Sequence, residues 1–280
     1  MTTQIIFIVW RESVEALLVI GILNAWIGHD AAYARGRRYL WGGVLAGLAA
    51  AVALGFGLLE ASAVLSGPGL EYFQTGLVFL AGLLIVQMVF WMRRHGRTLK
   101  RNLEQGLGDA ARDGRWWTIS LLALIAVARE GSETVVFLYG MFAAGPAVGT
   151  WSVLGGLAVG IALAALTYGI LQLGGRVLSW RLFFRVTEVL LLLLACGLFT
   201  TGVGTLVSLG LIPYMDPLWD TTWLLDDASR LGGVVASLTG YRAFPDPATL
   251  GTWIVYWGLI AMVFRRQTRR SNAMAAVSAS

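Results

Sequence analysis

Two five-residue runs, Arg11-Glu12-Ser13-Val14-Glu15 and Arg129-Glu130-Gly131-Ser132-Glu133, each place two carboxylates and one guanidinium inside a long apolar stretch. On a helix, the glutamates of each run face one way, and each arginine stands four residues before the second glutamate. An ionised carboxylate at a helix centre in lipid costs roughly 2.5–3.5 kcal/mol on insertion scales, so these groups point to function. Neutralisation of each glutamate by its arginine, kept for packing, is the plainer explanation of one such run. Two acids per base, repeated, leave excess negative charge that needs a further cation or protons. If the two runs face each other they form a cage of carboxylate oxygens with an arginine flanking each half, which suits a hard divalent or trivalent cation. Copper(I) is disfavoured, because it selects thiolate and thioether ligands and the chain has one cysteine, Cys196, and scattered methionines. The only histidines, His29 and His95, fall in or beside loops, which argues against a histidine-rich di-iron membrane oxygenase.

The elements that must position these charges are membrane spans. Hydrophobic residues make up 57% and charged residues 13% of the chain, with a mean hydropathy of +0.71, well outside the range of a soluble domain. Seven segments read as spans: Gln4–Ile27, Tyr39–Leu65, Tyr72–Met92, Trp116–Ala143, Trp151–Leu173, Leu182–Leu206 and Thr249–Phe264. The first does not read as a cleavable signal peptide, because it lacks a basic start and carries Arg11, Glu12 and Glu15 in place of an uninterrupted apolar core. A single cysteine permits no intrachain disulfide.

Lysine and arginine set the expected orientation. Arg35, Arg37 and Arg38, then the run from Arg93 to Arg115 with Lys100, then Arg176, Arg181 and Arg185, and finally Arg265, Arg266, Arg269 and Arg270 all fall on one side of the seven spans. The other side holds only Arg230 and Arg242, in a segment that also carries Asp216, Asp220, Asp226, Asp227 and Asp246. The N-terminus is therefore expected outside and the C-terminus in the cytoplasm. The net charge of +5 reflects this sidedness rather than nucleic-acid binding.

The chain repeats itself. Trp41–Ala49 resembles Trp151–Ala158, and spans one and four share the charged motif. Three spans form one unit, and because three is odd the second copy enters from the opposite side, as in many secondary transporters. The glycines of spans two and five suit close helix approach.

The paired motif resembles the repeated R-E-x-x-E signature of the iron permease family that includes the fungal high-affinity iron permeases and bacterial EfeU, and the length is closest to the EfeU-like branch. The likeness continues through Met88-Val89-Phe90-Trp91-Met92-Arg93, Ala128-Arg129-Glu130-Gly131, Phe183-Phe184-Arg185 and Gly240-Tyr241. It implies iron uptake across a cytoplasmic membrane, with Glu12, Glu15, Glu130 and Glu133 as iron ligands and an iron-oxidising or iron-delivering partner outside. Two departures stand out: Ser13 replaces the usual glycine, and Phe73-Gln74-Thr75-Gly76 stands where relatives tend to carry a Phe-Glu-Gly glutamate. Glu71, Gln74 and Glu188 are then candidate access-route ligands, although acids near span ends are more often simply hydrated. Glu60, Asp226 and Asp227 are candidates for gathering cations outside, against the plainer reading of solvated acids.

The expected fold is all-α and polytopic, with inverted repeats at about 1–92 and 116–207, an external loop at 208–248, a seventh span at 249–264 and a cytoplasmic tail at 265–280. The expected function is iron import by a transporter rather than an enzyme, with Arg11 and Arg129 balancing charge. Iron is its substrate, membrane lipid its surroundings, and it has no permanently bound cofactor and no nucleic-acid partner. A permease for manganese or lead is the nearest alternative, since oxygen ligands discriminate weakly among such ions. A retinal-type photoprotein or other seven-span receptor fits only by span count; a Schiff base needs a lysine within a span, and the single lysine, Lys100, lies in a loop. A membrane enzyme is disfavoured because no nucleophile with a base, phosphate loop or cofactor box is present.

Overall fold

The apolar runs fold into helices in a computed structural model that describes residues 2–28, 35–95, 116–144, 149–172 and 180–278; no strand occurs among them. In chain order these are α1 (Thr2–Ile27), α2 (Gly36–Val64), α3 (Pro68–His95), α4 (Trp117–Ala144), α5 (Thr150–Gln172), α6 (Trp180–Ser208), α7 (Arg230–Thr239) and α8 (Pro247–Ser278). Proline opens α3 and α8, where its missing N–H costs no helical hydrogen bond. Among the described residues five helices, α2, α3, α5, α6 and α8, are long and apolar enough to cross a membrane. The other two long helices, α1 with 26 residues and α4 with 28, are the motif helices, and any stretch of span length within them includes the motif's three charges. The loop arginines between 96 and 115, Lys100, His29 and Arg176 lie outside the described residues.

The chain divides into two compact units, Met1–Ala195 and Cys196–Ser280. In the first, α2 packs on α4, α5 on α1, and α3 on α4, with α1 also meeting α4 and α2. Glycine makes the two main pairings close. A Cβ on Gly43 would collide with the Ser120 carbonyl oxygen and lie 2.9 Å from the Ala123 methyl; one on Gly47 would lie 2.8 Å from Val127 Cβ and 3.0 Å from the Leu124 carbonyl oxygen. On the other pair, a Cβ on Gly156 would meet Ile5 and the Thr2 carbonyl oxygen, and one on Gly160 would lie 2.9 Å from Val9 Cβ and 3.1 Å from the Ile6 carbonyl oxygen. Thr2, Ile5, Ile6 and Val9 precede Arg11 at the same spacings at which Ser120, Ala123, Leu124 and Val127 precede Arg129. One packing arrangement therefore occurs twice, and it pairs Gly43 with Gly156 and Gly47 with Gly160. This is not the register that sets Trp41 against Trp151.

Around these contacts Leu23, Ile27, Leu40, Val44, Ile119, Ala123 and Val127 form a buried cluster, while Val14 packs with Ala164. Trp10 Nε1 donates to Thr167 Oγ1 at 2.9 Å, a polar link between α1 and α5. The outward face of α2 exposes Leu45, Leu48, Val52, Phe56 and Leu59, a surface that matches hydrocarbon.

The second unit adds helical structure to two segments that the sequence left irregular. The segment read as an external loop contains α7, capped by the Ser229 side chain on the Gly232 amide (3.0 Å) and ended by Gly240 at φ 72°, a left-handed conformation that glycine adopts without a Cβ penalty. Here Gly240 also lies so close to Thr200 Oγ1 and the Cys196 carbonyl oxygen that a side chain would not fit. The Tyr241 hydroxyl donates to the Leu225 carbonyl (3.0 Å) and shares a hydrogen bond with Thr221 Oγ1 (2.8 Å), tying the loop together. The Asp220 carboxyl is held below the ordinary carboxylate range by hydrogen bonds from the amide and hydroxyl of Thr222. Second, α8 runs on past Phe264 to Ser278, so the segment read as a tail continues the last helix.

Candidate metal site

Both motifs fall near the middle of their helices, on turns buried by the packing described above. Arg11, Glu12, Glu15 and Glu130 are all buried; Glu133 is partly so. One carboxylate oxygen from each of Glu12, Glu130 and Glu133 can be chosen so that all lie within 4.8 Å of one another, a group with the spacing to hold a metal ion. Two helices thus supply three convergent carboxylates, one from α1 and two from α4.

The arginines occupy one side of these carboxylates. Arg11 Nη1 donates to Glu12 Oε1 at 2.6 Å and Arg11 Nη2 pairs with Glu15 Oε1. Arg129 Nε donates to Glu133 Oε1 at 3.1 Å and lies 3.8 Å from Glu130 Oε1. The second oxygens, Glu12 Oε2, Glu130 Oε2 and Glu133 Oε2, are buried and accept no hydrogen bond from the described residues. A buried carboxylate oxygen without a donor is costly, and a cation removes that cost. Hydroxyls on α4 are turned away to the helix backbone, since Ser132 Oγ donates to the Arg129 carbonyl and Thr134 Oγ1 to the Glu130 carbonyl, each at 2.8 Å.

The sequence, compared with known proteins, matches the iron permease FTR1 family over residues 2–266. The chain belongs to the iron permease FTR1 family. It is similar to the ferrous iron permease EfeU of Escherichia coli O6:H1, 31% identical over 256 residues that cover 89% of this chain and 90% of the relative. It is also similar to the EfeU ferrous iron permeases of Shigella sonnei, 31% identical over 279 residues (97% and 98%), and of Yersinia pestis, 27% identical over 278 residues (98% and 96%). No solved structure matches the chain. Membership in the iron permease family makes this chain a transporter rather than an enzyme.

Within this iron permease the remaining candidates are not members of the convergent trio. Glu15 is held by Arg11 and is not one of the three. Glu71 is exposed in the first turn of α3, where a carboxylate complements the helix dipole; Gln74 is half-buried one turn on, and Glu60 is exposed near the end of α2. Glu188 Oε1 pairs with Arg93 Nε at 2.6 Å. Asp226 accepts from the Ala228 amide (2.9 Å) and Asp227 from the Ala243 amide (3.4 Å), so both carboxylates order the loop that carries them. Two residues around the site were legible only as part of the family likeness: Met88 and Trp91, on α3, contact the two motif arginines.

Proposed function

We propose that this chain imports ferrous iron across the cytoplasmic membrane through the carboxylates of its two motifs, with Glu12, Glu130 and Glu133 as the first ligands and Glu15 joining as Arg11 yields. The observation that carries this reading is the convergence of three carboxylates whose buried second oxygens have no donor among the described residues. Charge supports a dication: four glutamates against two arginines, all in their charged forms, leave an excess of two negative charges. The names of the similar ferrous iron permeases support iron(II) as the cargo.

In this reading α1 and α4 join the five apolar helices to make seven spans, their charges turned toward one another instead of lipid. The doubled packing of α2 on α4 and α5 on α1 supports two three-helix repeats, and an odd number of spans per repeat makes them inverted. Cargo then passes by rocking of one repeat against the other, with the N-terminus outside, the C-terminus in the cytoplasm and an iron-delivering or iron-oxidising partner at the outer face.

Uptake into proteoliposomes, measured in parallel for Fe(II), Fe(III), Mn(II) and Pb(II), tests the proposal. Fe(II) should enter with the parent protein and fail to enter with Glu130→Gln. Exclusion of Fe(II) by the parent, or undiminished uptake by Glu130→Gln, would overturn it.

A further inference from the structure

Helix α3 contributes no charged group to the motifs, yet it touches both. Arg11 Nη1 donates to Met88 Sδ at 2.7 Å, and the Arg129 guanidinium carbon stands 4.1 Å from the centre of the Trp91 ring. Met88 and Trp91 are three residues apart and so lie on one face of α3. Each guanidinium is therefore gripped from two directions, by its own glutamates and by this helix.

The grip has a consequence for the carboxylates. Both arginines pair with first oxygens only: Arg11 with Oε1 of Glu12 and Glu15, Arg129 with Oε1 of Glu133 and, more distantly, of Glu130. The buried second oxygens of Glu12, Glu130 and Glu133 remain without donors among the described residues. A guanidinium has five N–H donors and a planar fork that engages both oxygens of one carboxylate, so an unrestrained arginine beside a donor-free oxygen should turn to cover it. Thioether and indole are suited to prevent this. The sulfur takes one N–H, and the indole face attracts the cation while offering no competing acceptor.

We propose that Met88 and Trp91 are a clamp that holds both motif arginines on one oxygen of each glutamate, leaving the other oxygens open to the transported cation. They are positioning residues: they set cation affinity through the arginines without contacting the cation. The inference rests on the carboxylates being the cation site, as proposed above. Uniting both grips on one helix also means that a shift of α3 alters both motifs together.

The test is Fe(II) binding to the full chain in detergent, measured anaerobically by calorimetry as a double-mutant cycle. Trp91→Leu should weaken Fe(II) binding about tenfold, equivalent to about 1.4 kcal/mol, between the values of exposed and desolvated cation–π contacts and in keeping with the partial exposure of Arg129. In an Arg129→Gln background the same change should shift affinity less than about twofold, because the clamped group is gone. Trp91→Phe, which keeps an aromatic face, should lose less than Trp91→Leu. Met88→Leu, nearly equal in volume, should behave likewise against Arg11→Gln and carries the test if Trp91→Leu does not fold. Equal losses in both backgrounds would mean that α3 merely fills space and would overturn the clamp, as would parental affinity in Trp91→Leu and Met88→Leu. If those variants bind normally while Glu130→Gln does not, the clamp falls and the carboxylate site stands; if the parent binds no Fe(II), both fall.

Discussion

At the scale of single residues, the two motifs are alike in sequence and unlike in setting. The Arg11 side chain is 3% exposed and lies against two glutamates at 1% and 5%, whereas the Arg129 side chain is 33% exposed. Removing one partner of a buried ion pair strands the other and costs about 3–5 kcal/mol, while solvent reaching Arg129 reduces the penalty there. Arg11→Gln should therefore lower the thermal midpoint of the purified protein more than Arg129→Gln; equal shifts would contradict the burial difference. The trio makes a second prediction. Glu12→Gln, Glu130→Gln and Glu133→Gln nearly preserve shape and should each cut initial Fe(II) uptake at least about tenfold without loss of membrane insertion, since each removes a charged oxygen from the convergent group. Glu15→Gln should cost less, because Glu15 lies outside the trio in its pair with Arg11. Uptake by Glu15→Gln as low as by Glu130→Gln would make all four glutamates equivalent and discount the geometry. That Glu12, Glu130 and Glu133 meet was legible in the sequence, because charges within apolar helices have few places to go except toward one another. The omission of Glu15 from the trio was not, since spacing gives a shared helix face and says nothing of which acid the arginine takes.

Among elements, what holds the motif helices is the absence of side chains. Gly43 and Gly47 admit α4, and Gly156 and Gly160 admit α1, so closely that a methyl group on any of them would overlap its neighbour. A larger residue at these positions should force the pairs apart, with overpacking costs of about 1–3 kcal/mol and a displaced motif as the result. Gly47→Leu should lower both the thermal midpoint and Fe(II) uptake. Gly42→Leu, on the same helix with nothing within 4 Å of its Cβ position, should change neither. Equal tolerance of both substitutions would show that the close packing is dispensable. The sequence displayed the glycines but not their register, because Trp41 and Trp151 offer a competing alignment that only the packing of carbonyl oxygens and methyl groups resolves. Helix α7 escaped sequence reading for a related reason: Gly232 and Gly233 near its start lower helix propensity, and Ser229 with Gly240 supplies the caps that offset this. The continuation of α8 past Phe264 was hidden by the shift from apolar to basic composition, which marks the end of a span and not the end of a helix.

At the scale of the whole molecule, the exchange of second helices is the feature that organises the rest. Helix α2 of the first half packs on α4 of the second, and α5 of the second packs on α1 of the first, with the same residues counted from each motif at both contacts. Such an exchange is what a two-fold relation between the proposed repeats produces, and the motifs on α1 and α4 meet in one group. On the three spans per half proposed above, a two-fold relation places its axis in the membrane plane and orients the halves oppositely. On that proposed topology the arginine-rich connections are expected on the cytoplasmic face. Because Cys196 is the only cysteine, a Cys196→Ala chain offers a clean background for placing single reporters. In intact cells, a cysteine at Asp226 should react with a membrane-impermeant maleimide, and one at Ser280 should react only after the membrane is opened. A reactive Ser280 position or a protected Asp226 position in intact cells would reverse the orientation. If both positions reacted from the same side, α8 would not cross the membrane and the number of spans would be wrong by one, while the opposed orientation of the two three-helix repeats, which precede α8, would be unaffected.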